Sequence, residues 1–292
     1  MRLGVIFPQT EIGSRPEDAK KYAEAADSLG YNHLTIYDHV LGADMSYHSN
    51  LVGAAYTLED QFYEPLVFFG YLAAVTKKIQ LTTGIIILPQ RQTALVAKQA
   101  ATIDILTGGR LRLGIGIGWN YVEYEALGES FSDRGRRSEE QVALLRQLWT
   151  EAKVNFEGEW NRVTHAGIRP RPIQQPIPIW FGGSSDRVLK RIGRLGDGWI
   201  ASGRDTSLDE EFRRKIQVIH RHAEVAGRNP RDIGIEGFID ANRPVDELGE
   251  AARKWESFGA THVSLQTMNC GFETVDQHIG IITRFKEAFT QK

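Results

Sequence analysis

The sequence predicts a (β/α)8 TIM barrel, an α/β fold forming one domain over residues 1–292, with insertions after the second strand and before the fifth. Three observations carry that expectation. Eight short apolar runs rich in Ile, Val and Leu recur with little polar alternation, as parallel strands buried on both faces require. Segments of helical periodicity separate them, so strand and helix alternate throughout. The 292 residues suit one barrel of roughly 250 residues plus insertions. A doubly wound open sheet is the alternative arrangement of the same elements.

Taken in order, run 3–7 is the first strand, and Ser14 and Pro16 open a helix over 16–29 that Gly30 closes. The second strand is 33–37. The aromatic-rich connection 40–64 behind it is too long for a turn; loops beyond about 12–15 residues are usually lids or insertions. Helix 65–76 is apolar, and its Phe68, Phe69 and Tyr71 face either the core or a second copy of the chain. Strand 79–88, helix 93–106 and strand 111–117 follow. Between the last two, Gly108 and Gly109 end the helix, and Arg110 is expected to pair with a carboxylate such as Asp104. Helix 137–151 leads into a second long connection, 152–176, with Trp160, His165 and several prolines. Strands 177–181, 198–201, 233–239 and 261–266 then alternate with helices 185–195, 208–226, 245–258 and 274–289.

Composition narrows the function. Residues are 41% hydrophobic and 25% charged, with 35 Lys and Arg against 37 Asp and Glu. The resulting net charge of −2 offers no basic field for nucleic acid. The single Cys270 excludes a disulfide within the chain and a thiolate metal cage. The apolar start is too short for a signal-peptide core, and no apolar stretch approaches the roughly 20 residues of a membrane helix. A cytoplasmic enzyme acting on a small molecule is expected. The histidines show no metal-ligand grouping, since His220 and His222 diverge on a helix, and no Gly-x-Ser-x-Gly elbow supports a nucleophile.

Four segments can carry chemistry. In Leu111-Arg-Leu-Gly-Ile-Gly-Ile-Gly-Trp-Asn120 the glycines Gly114, Gly116 and Gly118 stand two apart, which is not a dinucleotide fingerprint. On a strand they share one face and strip it of side chains, either for a flat cofactor or for tight layering inside a barrel. The turn Gly182-Gly183-Ser184 runs from a strand into a helix start, where free N–H groups can cradle a phosphate or simply turn the chain. Beyond the next strand, Ser202 and Arg204 are placed to meet a ligand anion. At the end of the second strand, Asp38-His39 offers a proton donor or acceptor beside a carboxylate, although a lone histidine is more often structural.

Together the runs Leu81-Thr-Thr-Gly-Ile-Ile-Ile-Leu-Pro89, Ala97 through Gly109-Arg110, Leu111 through Trp119, Pro178-Ile-Trp-Phe-Gly-Gly and Gly196-Asp-Gly-Trp-Ile200 resemble the bacterial luciferase-like monooxygenase superfamily. The resemblance implies a TIM barrel that binds FMN or the deazaflavin F420, usually as a homodimer. Asp38-His39 looks like the F420-dependent branch, in which this histidine lies near the reactive ring. The resemblance further implies a non-proline cis peptide at Ile85-Ile86 behind the ring, and a cofactor phosphate on Gly182, Gly183 and Ser184 and near Ser202. Sugar-phosphate dehydrogenases of that branch carry a glutamate where this sequence has Trp119, which puts that substrate class in doubt. Trp119 is instead expected to wall the pocket, with Gly118 beside it and Asn120 as a polar contact, and Glu123 to be a solvated helix residue. The activity implied is F420-dependent hydride transfer to or from a small organic substrate. The alternative is an FMN-dependent monooxygenase.

Overall fold

The computed structural model describes residues 1–51, 55–201 and 207–290. Its strands are β1 (Arg2–Ile6), β2 (His33–Ile36), β3 (Gln80–Thr83), β4 (Ile86–Ile87), β5 (Leu111–Gly116), β6 (Val154–Glu157), β7 (Arg162–Ala166), β8 (Ile179–Gly182), β9 (Gly198–Ile200), β10 (Gly234–Asp240) and β11 (His262–Gln266). All but β6 and β7 join one parallel sheet in the order β3-β2-β1-β11-β10-β9-β8-β5, and β5 pairs back onto β3. The sheet therefore closes into an eight-stranded parallel barrel, β3 and β4 forming one interrupted stave.

The helices are α1 (Gln9–Ile12), α2 (Pro16–Ser28), α3 (Pro65–Val75), α4 (Thr93–Thr107), α5 (Tyr121–Ala126), α6 (Arg134–Thr150), α7 (Asp186–Leu195), α8 (Glu210–Val225), α9 (Val245–Ser257) and α10 (Val275–Thr290). None is long and apolar enough to cross a membrane. Each long helix lays one stripe on the sheet: α2, for example, buries Ala19, Tyr22, Ala23 and Ala26 at helical spacing. Phe68 and Phe69 of α3 belong to this core, whereas Tyr71 is 39% exposed.

Inside the barrel the filling is polar. Arg112 donates to Glu236 at 2.6 Å, and the second Glu236 oxygen accepts from the Ser264 hydroxyl at 2.7 Å and meets His33 Nε2 at 2.8 Å. The Arg112 guanidinium also lies 4.2 Å over the Trp180 ring. Burial opposes the Glu236 charge, but Arg112, His33 and Ser264 outweigh it and hold the carboxyl well below its usual range. Two lumen glycines make room for this layer: a Cβ at Gly4 would stand 2.1 Å from His33, and one at Gly198 2.1 Å from Trp180.

Two expectations need correction. The third predicted strand is broken by a cis peptide at Gly84–Ile85, one residue before the expected Ile85-Ile86 bond. The insertion expected over 152–176 holds an antiparallel hairpin of β6 and β7. Arg110 does not reach Asp104; it donates to the backbone oxygens of Thr107 and Thr76, at 2.7 and 3.0 Å, and to that of Ile79. Asp104 instead accepts from the Gln174 side chain at 2.6 Å, tying the second insertion to α4.

Candidate active site

A cavity of about 420 Å³ opens at the C-terminal ends of the strands, where barrel enzymes place their chemistry. Its wall is built from strand ends: Tyr37, Asp38 and His39 after β2, Gly84 and Ile85 at the break in β3–β4, and Gly118 and Trp119 after β5. Phe238, Asp240, Gln266, Met268 and Asn269 close the opposite side, and Ala55 and Tyr56 of the long connection lie across it.

His39 is the best-supported side chain in this wall. Its Nδ1 lies 3.1 Å from Glu123 Oε1, and a carboxylate can only accept, so Nδ1 carries the proton and Nε2 is left for the cavity. Its ring is boxed by Tyr56 at 4.5 Å, Phe62 at 5.0 Å and Trp119 at 5.7 Å. The same Glu123 oxygen accepts the N–H groups of Val40 at 2.8 Å and Leu41 at 3.2 Å, and Gln90 donates to its other oxygen at 3.2 Å. Burial works against this charge, but the His39 contact, Gln90 and the Leu41 amide prevail and hold the carboxyl below its usual range.

Glu123 is thus no solvated helix residue: it is fully buried, and it, not Asp38, holds the histidine. Asn120-x-x-Glu123 has the form of a helix capping motif, and Asn120 does cap α5, accepting the Val122 N–H at 3.1 Å. That signal locates the helix start; the side on which Glu123 falls depends on where α5 rests against the mouth. Asn120 spends its amide on the Leu41 carbonyl at 3.1 Å and stands outside the cavity wall, contrary to the expected polar contact.

Asp38 is saturated differently. Its Oδ2 accepts the Ile87 N–H at 3.1 Å and its Oδ1 the Arg91 guanidinium at 2.9 Å. Arg91 also donates to Glu64 at 2.6 Å, so this triad pins β4 and the end of the long connection to the β2 terminus. Burial raises the Asp38 carboxyl, an effect that Arg91 and the Ile87 amide oppose.

The glycine strand serves layering. A Cβ at Gly114 would stand 1.8 Å from the Thr83 carbonyl oxygen, at Gly116 2.5 Å from Ile85 Cδ1, and at Gly118 2.9 Å from Ile87 Cγ2. The glycines therefore admit the broken stave β3–β4, which lets Ile85 protrude at the mouth while Ile86 is buried in the core. A flat ring has Ile85 and Trp119 to rest on, not a bare β5.

Gly182, Gly183 and Ser184 lie at the neighbouring stave, outside this wall. Gly183 has φ +112° and is exposed with Ser184 at the start of α7, leaving first-turn amides facing out. Its carbonyl accepts the Trp199 indole N–H at 2.9 Å, which fixes the turn. These features fit a phosphate, and the cavity's size and mixed apolar and polar wall fit a tricyclic ring. Ser202 and Arg204 lie outside the described residues. Among the described residues there is no metal-binding cluster of His, Cys, Asp and Glu.

Comparison with known proteins agrees with the geometry. The chain is 30% identical over 262 residues to an F420-dependent glucose-6-phosphate dehydrogenase of Amycolatopsis mediterranei, covering 87% of this chain and 74% of that one. It is 32% identical over 198 residues to an FMNH2-dependent dimethylsulfone monooxygenase of Pseudomonas putida, covering 66% of this chain and 53% of that one. An F420-dependent secondary alcohol dehydrogenase solved with an F420-acetone adduct superposes over 99% of this chain and 98% of that one, with a TM-score of 0.77 at 18% identity. The family model described as luciferase-like monooxygenase matches residues 1–271, and with the closed barrel and its His39–Glu123 mouth this assigns the chain to the luciferase-like monooxygenase family.

Proposed function

We propose that the chain is an oxidoreductase that binds the deazaflavin F420 and serves hydride transfer between it and a small organic substrate. The observation that carries this reading is the pair at the β2 end: His39 sits in the cavity wall with Nδ1 anchored on Glu123 and Nε2 without a hydrogen-bond partner among the described residues. When bound, the deazaflavin supplies or takes the hydride at its carbon 5. The protein's part is positional and electrostatic. His39 presents the Nε2 lone pair to take the proton of a substrate hydroxyl as the hydride leaves, and returns it in the reverse direction; Ile85 and Trp119 support the ring, and the α7 amides take the phosphate. Tyr56 and Phe62, packed edge to face at 4.5 Å, exclude water from the histidine.

The second reading, FMN-dependent oxygen chemistry, is favoured by the 32% identity to the dimethylsulfone monooxygenase. Parallel titrations decide. Under the first reading F420 binds about tenfold or more tightly than FMN. His39→Ala then retains binding while turnover falls about 100-fold. Tighter binding of FMN with oxygen uptake reverses the assignment.

A further inference from the structure

We propose that Tyr37, Gln266 and Asp240 form an acceptor edge that makes this cavity select substrates bearing a hydroxyl or ammonium donor and reject carboxylates and phosphates. The proposal rests on the reading of the cavity as the substrate site and names the substrate class for it.

The polarity of the edge follows from one group. Asp240 Oδ1 lies 2.8 Å from Gln266 Nε2, and a carboxylate cannot donate, so the Gln266 amide nitrogen must face it. Gln266 Oε1 is thereby turned to the Tyr37 hydroxyl at 2.5 Å, and Tyr37 must be the donor. With Gln266 Oε1 and one of its two N–H groups committed and the Tyr37 proton spent, the edge offers a ligand the Tyr37 lone pair, the second Asp240 oxygen and the remaining Gln266 N–H. Two of the three are acceptors, and the only charge among them is the Asp240 carboxylate. Burial pushes the Tyr37 hydroxyl well above its usual range, with the Asp240 and Glu236 charges adding to it, so the tyrosine stays a donor to Gln266.

The rest of the wall agrees. None of the described residues lining the cavity is Lys or Arg. The cations Arg243 and Lys254 stand beyond Asp240, lining a separate cavity of about 330 Å³ that shares only Phe238 and Asp240 with this one. Among the described lining residues, an anion would therefore meet a carboxylate with no guanidinium or ammonium to offset it. Asn269 adds a neutral amide, and Phe238, Met268, Tyr56 and Trp119 supply apolar walls for a compact carbon body.

Three probes of one shape test this: benzyl alcohol, benzylamine and benzoate, with dissociation constants measured by ligand-detected NMR on the full chain. The alcohol and the amine are expected to bind about tenfold or more tightly than benzoate. In Asp240→Asn, whose side chain is exposed and can change without unsettling the core, the amine-to-benzoate ratio drops about tenfold. A smaller preference in the unmodified protein, an unchanged ratio in the variant, or no binding by any probe overturns the proposal. F420 titrated into the same samples separates the two readings. Selectivity without F420 binding fails the cofactor assignment alone, and F420 binding without selectivity fails this one alone.

Discussion

Replacing Glu123 by alanine strips the acceptor from four donors at once: His39 Nδ1, the N–H groups of Val40 and Leu41, and the Gln90 amide. A hydrogen bond to a charged acceptor contributes about 1.5–3 kcal/mol, and bonds sharing one oxygen do not add. Three of the four converge on Oε1, in a site with no exposure, so the expected loss of stability is about 3–5 kcal/mol. Glu123→Gln keeps the shape and one acceptor oxygen but adds an NH2 group. Gln90 can answer it by turning its own amide, because its Oε1 is buried without a partner. That variant should lose about 1–2 kcal/mol. Urea unfolding gives both values from the shift in midpoint at unchanged slope. A cycle with His39→Ala isolates the pair, with an expected coupling of about 1 kcal/mol. An alanine variant costing less than about 1 kcal/mol, or equal losses for alanine and glutamine, would refute the idea that this carboxylate organises the mouth.

The remaining predictions concern stability. Burial, with Arg112 and His33 nearby, pushes His262 down to about 3, and burial pushes His278 down to about 4. Unfolded imidazoles take protons near about 6.5, so between there and about 4 the unfolded chain binds more protons and acidification removes stability. The loss should be about 1–3 kcal/mol, smaller in His278→Gln, and a melting temperature that stays level from about pH 7 to 4.5 would contradict it. Gly114→Ala drives a Cβ into the Thr83 backbone oxygen and should cost about 3 kcal/mol or more in the same unfolding assay. Gly116→Ala meets only the Ile85 side chain and should cost about 1–2 kcal/mol, most of it recovered by adding Ile85→Ala. Arg112→Met strands Glu236 in the barrel interior and should cost about 3–5 kcal/mol; a cost below about 1 kcal/mol would show that the charge is not held there.

Much of the barrel was written locally. Parallel strands buried on both faces need unbroken apolar runs, and helices on one face of a sheet need a 3.6-residue stripe, so both patterns stand in the chain itself. The mouth was legible in part: His39 lines the cavity as its position after β2 suggests, and Ile85 and Trp119 line it as the family resemblance implies. Hidden were the features that depend on distant partners. The polar layer joins Arg112 to Glu236 across 124 positions, and Asp38 turned to Arg91 because one cationic and two anionic groups converge there.

Sequence by itself determined the alternation of strand and helix, the exclusion of a disulfide within the chain, and the spacing of Gly114, Gly116 and Gly118. Tertiary structure decided what that spacing is for and which carboxylate serves the histidine. Periodicity fixes the face a residue shares with its own neighbours, whereas Ile85 reaches the glycines from 31 residues upstream of Gly116, and Glu123 reaches His39 across 84. Only closure of the barrel brings such groups within the few ångströms over which repulsion and hydrogen bonding act.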